Sequence, residues 1–307
     1  MPFFSISDLI KMLRKQRGFS QEELSEGIMS TISLSRLETG EQLPHKFNID
    51  EILKKLGFNT LEDYKYFLNE REREINEKCD KLLNLIDNDR NNEAEIILNE
   101  LFTYPEFKKD KYKYQLLLLC RASIMVNLKQ DSEEIRKIVS EAIKISFKSF
   151  AEKDISNYFL SEQEINLIII LSITYLNEKN VDKAIEILES LKKSLDDSTA
   201  DDRYKSKSYP LVLLNLIECY ELTEQYLKAV ETCDFGKEIC LKTNKMRQLP
   251  DFVYNKAYCM YELGYREECL PLLYQAYYGY DMMRDTAGME KVRKHAKEKH
   301  DLSFEEE

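Results

Sequence analysis

The chain contains no tryptophan, only eight glycines, six prolines and three histidines in 307 residues. Breakers this scarce exclude a loop-rich or collagen-like protein and favour long helices joined by short turns. No apolar run approaches the ~20 residues that a membrane span needs; the nearest, residues 167–173, is far shorter. Residues 1–17 show no apolar stretch behind a basic start, so no signal peptide is expected. The seven cysteines are scattered, odd in number and without a CxxC pair, which fits reduced thiols in a cytoplasmic protein better than a disulfide framework or metal site. The histidines His45, His295 and His300 stand apart from any acid or cysteine cluster, and neither a Gly-rich phosphate loop nor a GxSxG elbow occurs. No enzyme, cofactor or metal is expected.

What is present begins with residues 19–44, FSQEELSEGIMSTISLSRLETGEQLP. Ser20 is a natural N-cap and Glu23, three residues on, completes a capping box. Leu24 and Ile28 share one face, and the chain turns near Gly27 and Met29. Ser30 or Thr31 caps a second helix running to about Thr39, with Gly40 as its stop. In that helix Leu34 and Leu37 face inward, while Thr31, Ile32, Ser33 and Arg36 face outward. A short helix with small outward side chains suits a major groove, and an arginine can bond a guanine edge or a phosphate. The spacing resembles the XRE-type helix-turn-helix, carried by FSQEELSEGI, SRLETGEQLP and, at 49–58, IDEILKKLGF. The resemblance implies DNA contacts from Ser20, Gln21, Ser30, Thr31, Ile32, Ser33 and Arg36. A first helix at 5–17 places Leu9, Ile10 and Leu13 inside and Lys11, Arg14, Lys15 and Arg17 on a basic side suited to phosphates. A helix at 49–56 ends at Gly57, and another is expected at 61–68.

The whole chain carries a formal net charge of −11. Its first 68 residues hold nine Lys/Arg and ten Asp/Glu, 9 − 10 = −1, so the head is nearly neutral. Affinity for DNA scales with the phosphates neutralised, so a homodimer on a palindromic operator is expected. Residues 69–81, NEREREINEKCDK, read as a charged helical linker. It either joins the head rigidly to the C-terminal helices or is simply a solvated helix.

Beyond residue 80 only helical patterns occur. Segments 165–191, 211–236 and 252–277 align as helix, turn, helix. Each places a small residue early in its second helix (Ala184, Ala229, Cys269) and a larger one four later (Leu188, Cys233, Leu273). This resembles the tetratricopeptide repeat, with spacings of 45 and 40 and without that repeat's tryptophan or terminal proline. Residues 80–102 with 112–129, and 132–147, read as degenerate earlier members; 286–299 reads as a basic capping helix and 304–307 as a frayed tail. The fold class is therefore all-α: a helix-turn-helix domain (1–68), a helical linker (69–87) and a right-handed tetratricopeptide-like solenoid (88–307).

Inner helices of a solenoid line a groove for an extended peptide, and a side-chain amide can pair both backbone groups of such a ligand. Asn166, Asn215 and Asn255 stand on expected inner helices, the last two at equivalent positions. The alternative is that these amides bond neighbouring backbone. Tyr175 and Tyr258 add an aromatic face or a hydroxyl, Glu218 and Glu221 suit a basic group, and Arg121, Lys205 and Lys207 suit a carboxylate.

Taken with GIMSTISLSRLETGEQLP and LPDFVYNKAYCMYELGYREECL, the whole resembles the peptide-pheromone receptors of Gram-positive bacteria (the group named for Rgg, Rap, NprR, PlcR and PrgX). That resemblance implies a homodimeric quorum-sensing transcription regulator, switched on double-stranded DNA by a short signalling peptide whose backbone is held by groove asparagines. The competing reading is an adaptor that grips a protein partner, such as a response regulator, and whose head no longer binds DNA.

Overall fold

A computed structural model describes residues 6–41, 46–57, 70–197 and 208–300. The helix expected at 61–68, Lys205, Lys207 and the tail at 304–307 lie outside them. Among the described residues the regular elements are helices, and none is long and apolar enough to cross a membrane. The chain divides into two compact units, Met1–Asn84 and Leu85–Glu307.

The first unit contains α1 (Ile6–Gln16), α2 (Gln21–Ser25), α3 (Thr31–Glu38) and α4 (Lys46–Lys55). Ser20 and Glu23 form the expected capping box, and Ser30 caps α3 through the Ser33 amide. Both start signals lie within four residues of the helix, so local sequence suffices to place them. Leu9, Ile10 and Leu13 of α1 meet Leu24, Leu34, Leu37, Ile49, Ile52, Leu53 and Leu56 in one core. Leu24, Leu34 and Leu37 are wholly buried, each contributing about 2 kcal/mol relative to exposure. Helix α4 begins three residues earlier than the expected position 49.

Next comes α5 (Glu70–Asp87), the charged stretch, whose Arg71–Glu74 and Arg73–Glu77 pairs lie along its own surface. Exposed pairs of this kind add only a few tenths of a kcal/mol each. The division between the two units falls within this helix.

The second unit continues with α6 (Asn91–Thr103), α7 (Pro105–Lys109), α8 (Lys111–Asn127), α9 (Ser132–Ser146), α10 (Glu162–Asn177) and α11 (Val181–Asp197). It closes with α12 (Tyr209–Leu222), α13 (Tyr226–Thr243), α14 (Leu249–Glu262), α15 (Arg266–Met282) and the capping helix α16 (Thr286–His300). Residues 80–102, expected as a degenerate early member of the array, contain the end of α5 and nearly all of α6, because the chain reverses at Asp89.

One turn recurs throughout the array. Asp89, Lys129, Lys179, Glu224 and Gly264 all have positive φ. In each turn the following amide bonds the carbonyl five residues back, from Arg90 to Leu85, Gln130 to Met125, Asn180 to Tyr175, Gln225 to Tyr220 and Tyr265 to Met260, at 2.8 or 2.9 Å. This Schellman geometry satisfies the orphan carbonyls of the preceding helix. The turn residues stand 40, 50, 45 and 40 apart. The spacing of 50 holds the 3-10 segment Glu152–Asn157 between α9 and α10.

Pairs α8/α9, α10/α11, α12/α13 and α14/α15 pack internally, and each second helix packs on the next first helix. The first helices α8, α10, α12 and α14 also touch in sequence, more closely than the second helices do, and so form the inner layer. The early small residues Ala184, Ala229 and Cys269 are fully buried, as are Leu188, Cys233 and Leu273 behind them. Gly236 permits a further close approach: a Cβ there would stand 2.2 Å from the Phe252 ring.

Four of the five left-handed positions carry side chains that resist that conformation. Lys129→Gly and Glu224→Gly should each stabilise the repeat unit by about 0.5–1 kcal/mol, and Gly264→Ala should destabilise it by about 1 kcal/mol. Urea unfolding of the three variants checks the signs.

Candidate functional site

In the first unit, α3 is held by its inward leucines so that Thr31, Ile32 and Arg36 are exposed and Ser33 is half-buried. Its first turn is largely bonded to itself and to α2. Ser30 Oγ accepts from the Ser33 amide at 3.1 Å and shares a bond with Ser33 Oγ at 2.8 Å. Thr31 Oγ1 lies 3.3 Å from Ser25 Oγ. Ser20 is exposed at its cap, where its amide donates to Glu23 at 2.7 Å.

Arg14 departs from expectation. Instead of joining a basic rim it turns inward, donating from Nε and Nη2 to the two oxygens of Glu38 and from Nη1 to the Phe19 carbonyl. The two side chains are 12% and 1% exposed. The reason is that Glu38, in the last turn of α3, faces the core beside Leu37, and a carboxylate buried there needs a cation. Gln21 donates to the same carboxylate at 2.8 Å, so one of its amide hydrogens is committed to the core. Burial raises the Glu38 carboxyl, but the hydrogen bonds from Arg14 and Gln21, with the charges of Arg14 and Lys11, outweigh it and hold the group below the usual carboxylate range. Lys15 and Arg17 remain exposed, with Lys11 partly so.

In the second unit the left-handed turns set the register between inner helices. Leu211, Asn215, Glu218 and Leu222 form the solvent-facing stripe of α12, and Asp251, Asn255, Tyr258 and Glu262 stand at the same positions of α14. The matching stripe of α10 is Asn166, Ile170, Ile173 and Asn177. Asn215 and Asn255 are therefore equivalent, while Asn166 lies one turn nearer its helix start. Asn215 donates to the Leu211 carbonyl of its own helix at 2.8 Å, leaving its oxygen and second hydrogen. Among the described residues Asn255 makes no side-chain hydrogen bond, and the buried Asn166 Oδ1 has no partner. A buried amide oxygen left unpaired is unusual in a folded chain and marks a position that a ligand N–H can satisfy.

Two expected contacts fall elsewhere. Tyr175 is off the stripe: its hydroxyl donates to Glu152 at 3.2 Å and its ring lies 5.3 Å from the Arg136 guanidinium, tying α10 to its neighbours. Arg121 stacks on Phe102 at 4.4 Å. Tyr258 is half-exposed on α14 with its ring against His295 at 5.7 Å, and Glu218 is exposed on α12. Glu221 is the group that sequence reading underrated. It sinks between α12 and α14, accepts from the Cys259 thiol at 3.5 Å, and burial pushes its carboxyl up to about 7. Its only sequence signal was its place one turn after Glu218.

Residues 10–63 match the helix-turn-helix family. No curated protein matches the chain. Among solved structures, it is similar to PlcR of Bacillus thuringiensis in complex with the peptide PapR7 and DNA. The TM-score is 0.70 at 21% identity, over 94% of this chain and 98% of that one. It is also similar to Rgg2, the SHP pheromone receptor of Streptococcus dysgalactiae, at 0.64 and 13%, over 96% and 99%. It is similar as well to ComR of S. thermophilus, in complex with DNA and its signalling peptide, at 0.57 and 17%, over 94% and 98%. At these identities the likeness is one of fold, a helix-turn-helix followed by a helical repeat body.

Removing Glu38 strands a buried arginine. Glu38→Gln should destabilise the first unit by about 3 kcal/mol at pH 7. Because the folded carboxyl titrates below its unfolded value, the pair's contribution is complete above the unfolded pKa and is lost as pH falls through the folded one. The gap between wild type and variant should therefore close in acid, as melts at a series of pH values would register. Glu221 has the opposite sign. Its folded pKa is raised, so its ionisation opposes folding progressively between the ordinary carboxylate value and about 7. Glu221→Gln should thus gain stability over wild type as pH rises through that window, reaching about 3 kcal/mol above it.

Proposed function

We propose that the chain is a cytoplasmic transcription regulator that binds operator DNA through α3 and is switched by a short peptide lying along α10, α12 and α14. The observation that carries this reading is the recurrence of Asn215 and Asn255 at one register position of successive inner helices. Spaced one repeat apart, two such amides can bond the backbone of one extended peptide at two points. Asn166, with its unpaired oxygen, extends the row, and the intervening Ile173, Leu211 and Tyr258 offer apolar surface to peptide side chains.

The head supports the other half of the reading. Its exposed α3 carries Thr31, Ile32 and Arg36, with Lys11, Lys15 and Arg17 on α1 and just beyond it to meet phosphates. With Arg14 committed to Glu38, one head makes few phosphate contacts, and a homodimer on a palindrome doubles them. PlcR and ComR were each solved with both DNA and a peptide, and this chain would hold both kinds of ligand in corresponding parts of the same fold. The peptide would act by binding one arrangement of the dimer better than another.

The test is a gel mobility shift on the DNA flanking the gene, with and without synthetic peptides from the C-termini of short secreted reading frames nearby. A shift that a peptide changes supports the proposal; no shift at low salt sinks it in favour of an adaptor. Arg36→Ala should abolish specific binding without changing oligomeric state. Asn215→Ala with Asn255→Ala should weaken peptide binding by roughly 1–3 kcal/mol in total; an unchanged dissociation constant, by titration calorimetry, would remove both residues from the site.

A further inference from the structure

We propose that Ile32 reads the C5-methyl group of a thymine, so that each operator half-site carries an obligatory thymine opposite the first turn of α3. This rests on the reading of α3 as the DNA-contacting helix and adds the chemical group it selects.

Ser30 and Ser33 bond each other and the helix start, and Thr31 reaches Ser25. Much of the polar capacity at the front of α3 is thus directed into the protein. The side chain that projects between these groups is Ile32, 68% exposed, while the other apolar residues of α3, Leu34 and Leu37, are wholly buried. Among the residues from 6 to 41 and 48 to 57 whose side chains are described, it is the only exposed large hydrophobic. It supports none of the head's core. A β-branched residue is also a poor choice for a solvated helix face, since it loses side-chain freedom there. Among the described residues of the head, nothing in the fold accounts for isoleucine at this position.

On the DNA side the major-groove edges present nitrogens, oxygens and amino groups, and one apolar group, the thymine methyl. A recognition helix places its N-terminal residues against base edges. Burying that methyl against Ile32 removes two apolar surfaces from water at once. Arg36 lies one helical turn further on, on the same exposed face, and suits the hydrogen-bonding edge of a base at a neighbouring step. The front of the helix therefore selects by methyl contact, its middle by hydrogen bonds.

The experiment uses the full chain. A duplex library with a random core is selected for binding at low salt, and each thymine of the enriched sequence is then replaced singly by deoxyuridine, which lacks only the methyl. One thymine per half-site should lose about four-fold in affinity on this replacement, the value of one methyl-sized group buried. That loss should vanish in Ile32→Ala and persist in Ile32→Val, with unchanged melting temperatures showing that the exposed site is structurally neutral. A flat deoxyuridine scan with the wild-type chain, or an equal loss in Ile32→Ala, would overturn the assignment while leaving DNA binding intact. Failure to enrich any sequence would overturn the DNA-binding reading itself, and this inference with it.

Discussion

The repeat body depends on a backbone reversal that most residues resist. Each first helix must end in one left-handed residue so that the second can fold back against it, and Asp89, Lys129, Lys179, Glu224 and Gly264 all adopt that conformation. Hydrogen bonds from the next amide close the turn, and buried small residues such as Ala184 and Ala229 then allow the two helices to approach. The strain at the lysines and glutamate is held by this packing rather than by local preference. Because the turn sets where each helix starts, it also sets which residues share the inner stripe. The alignment of Asn215 with Asn255 is a consequence of that register.

In the head a comparable role falls to the Arg14–Glu38 pair. It ties α1 to the end of α3, and Gln21 brings in α2 through the same carboxylate. Three helices thus converge on one buried anion. The arrangement removes an arginine from the surface and an acid with it, so the face around α3 is neither strongly basic nor strongly acidic. In the proposed DNA-binding role, such weak electrostatics would leave more of the discrimination to base contacts from the exposed Ile32 and Arg36 on one helical face.

The inner stripe combines two chemistries with different demands. In the proposed peptide-binding role the amides would pair with ligand backbone whatever its sequence, whereas Ile173, Leu211, Leu222 and Tyr258 would sort side chains. Glu221 sits below this stripe with a carboxyl that burial brings near neutrality. Its thiol partner, Cys259, belongs to the next first helix, so the ionisation of this group bears on the seam between two repeats as well as on the groove.

The first three helices of the head are legible in the amino-acid order alone, because their signals are local: Ser20 with Glu23, Ser30 before Thr31, and the inward leucines at i and i+3. The last three repeats are legible in the same way, through Ala184, Ala229 and Cys269. The boundary at Asp89 is not, since that residue is not a glycine and carries no turn signature. Nor could local pattern assign Arg14, whose partner is 24 residues away, or separate Tyr175 from the groove, since a tyrosine on an inner helix can face either its neighbours or solvent. Those choices belong to the tertiary structure. They turn on which side chain finds a buried counter-charge or an acceptor across helices, and such pairings arise from packing between segments distant in the chain.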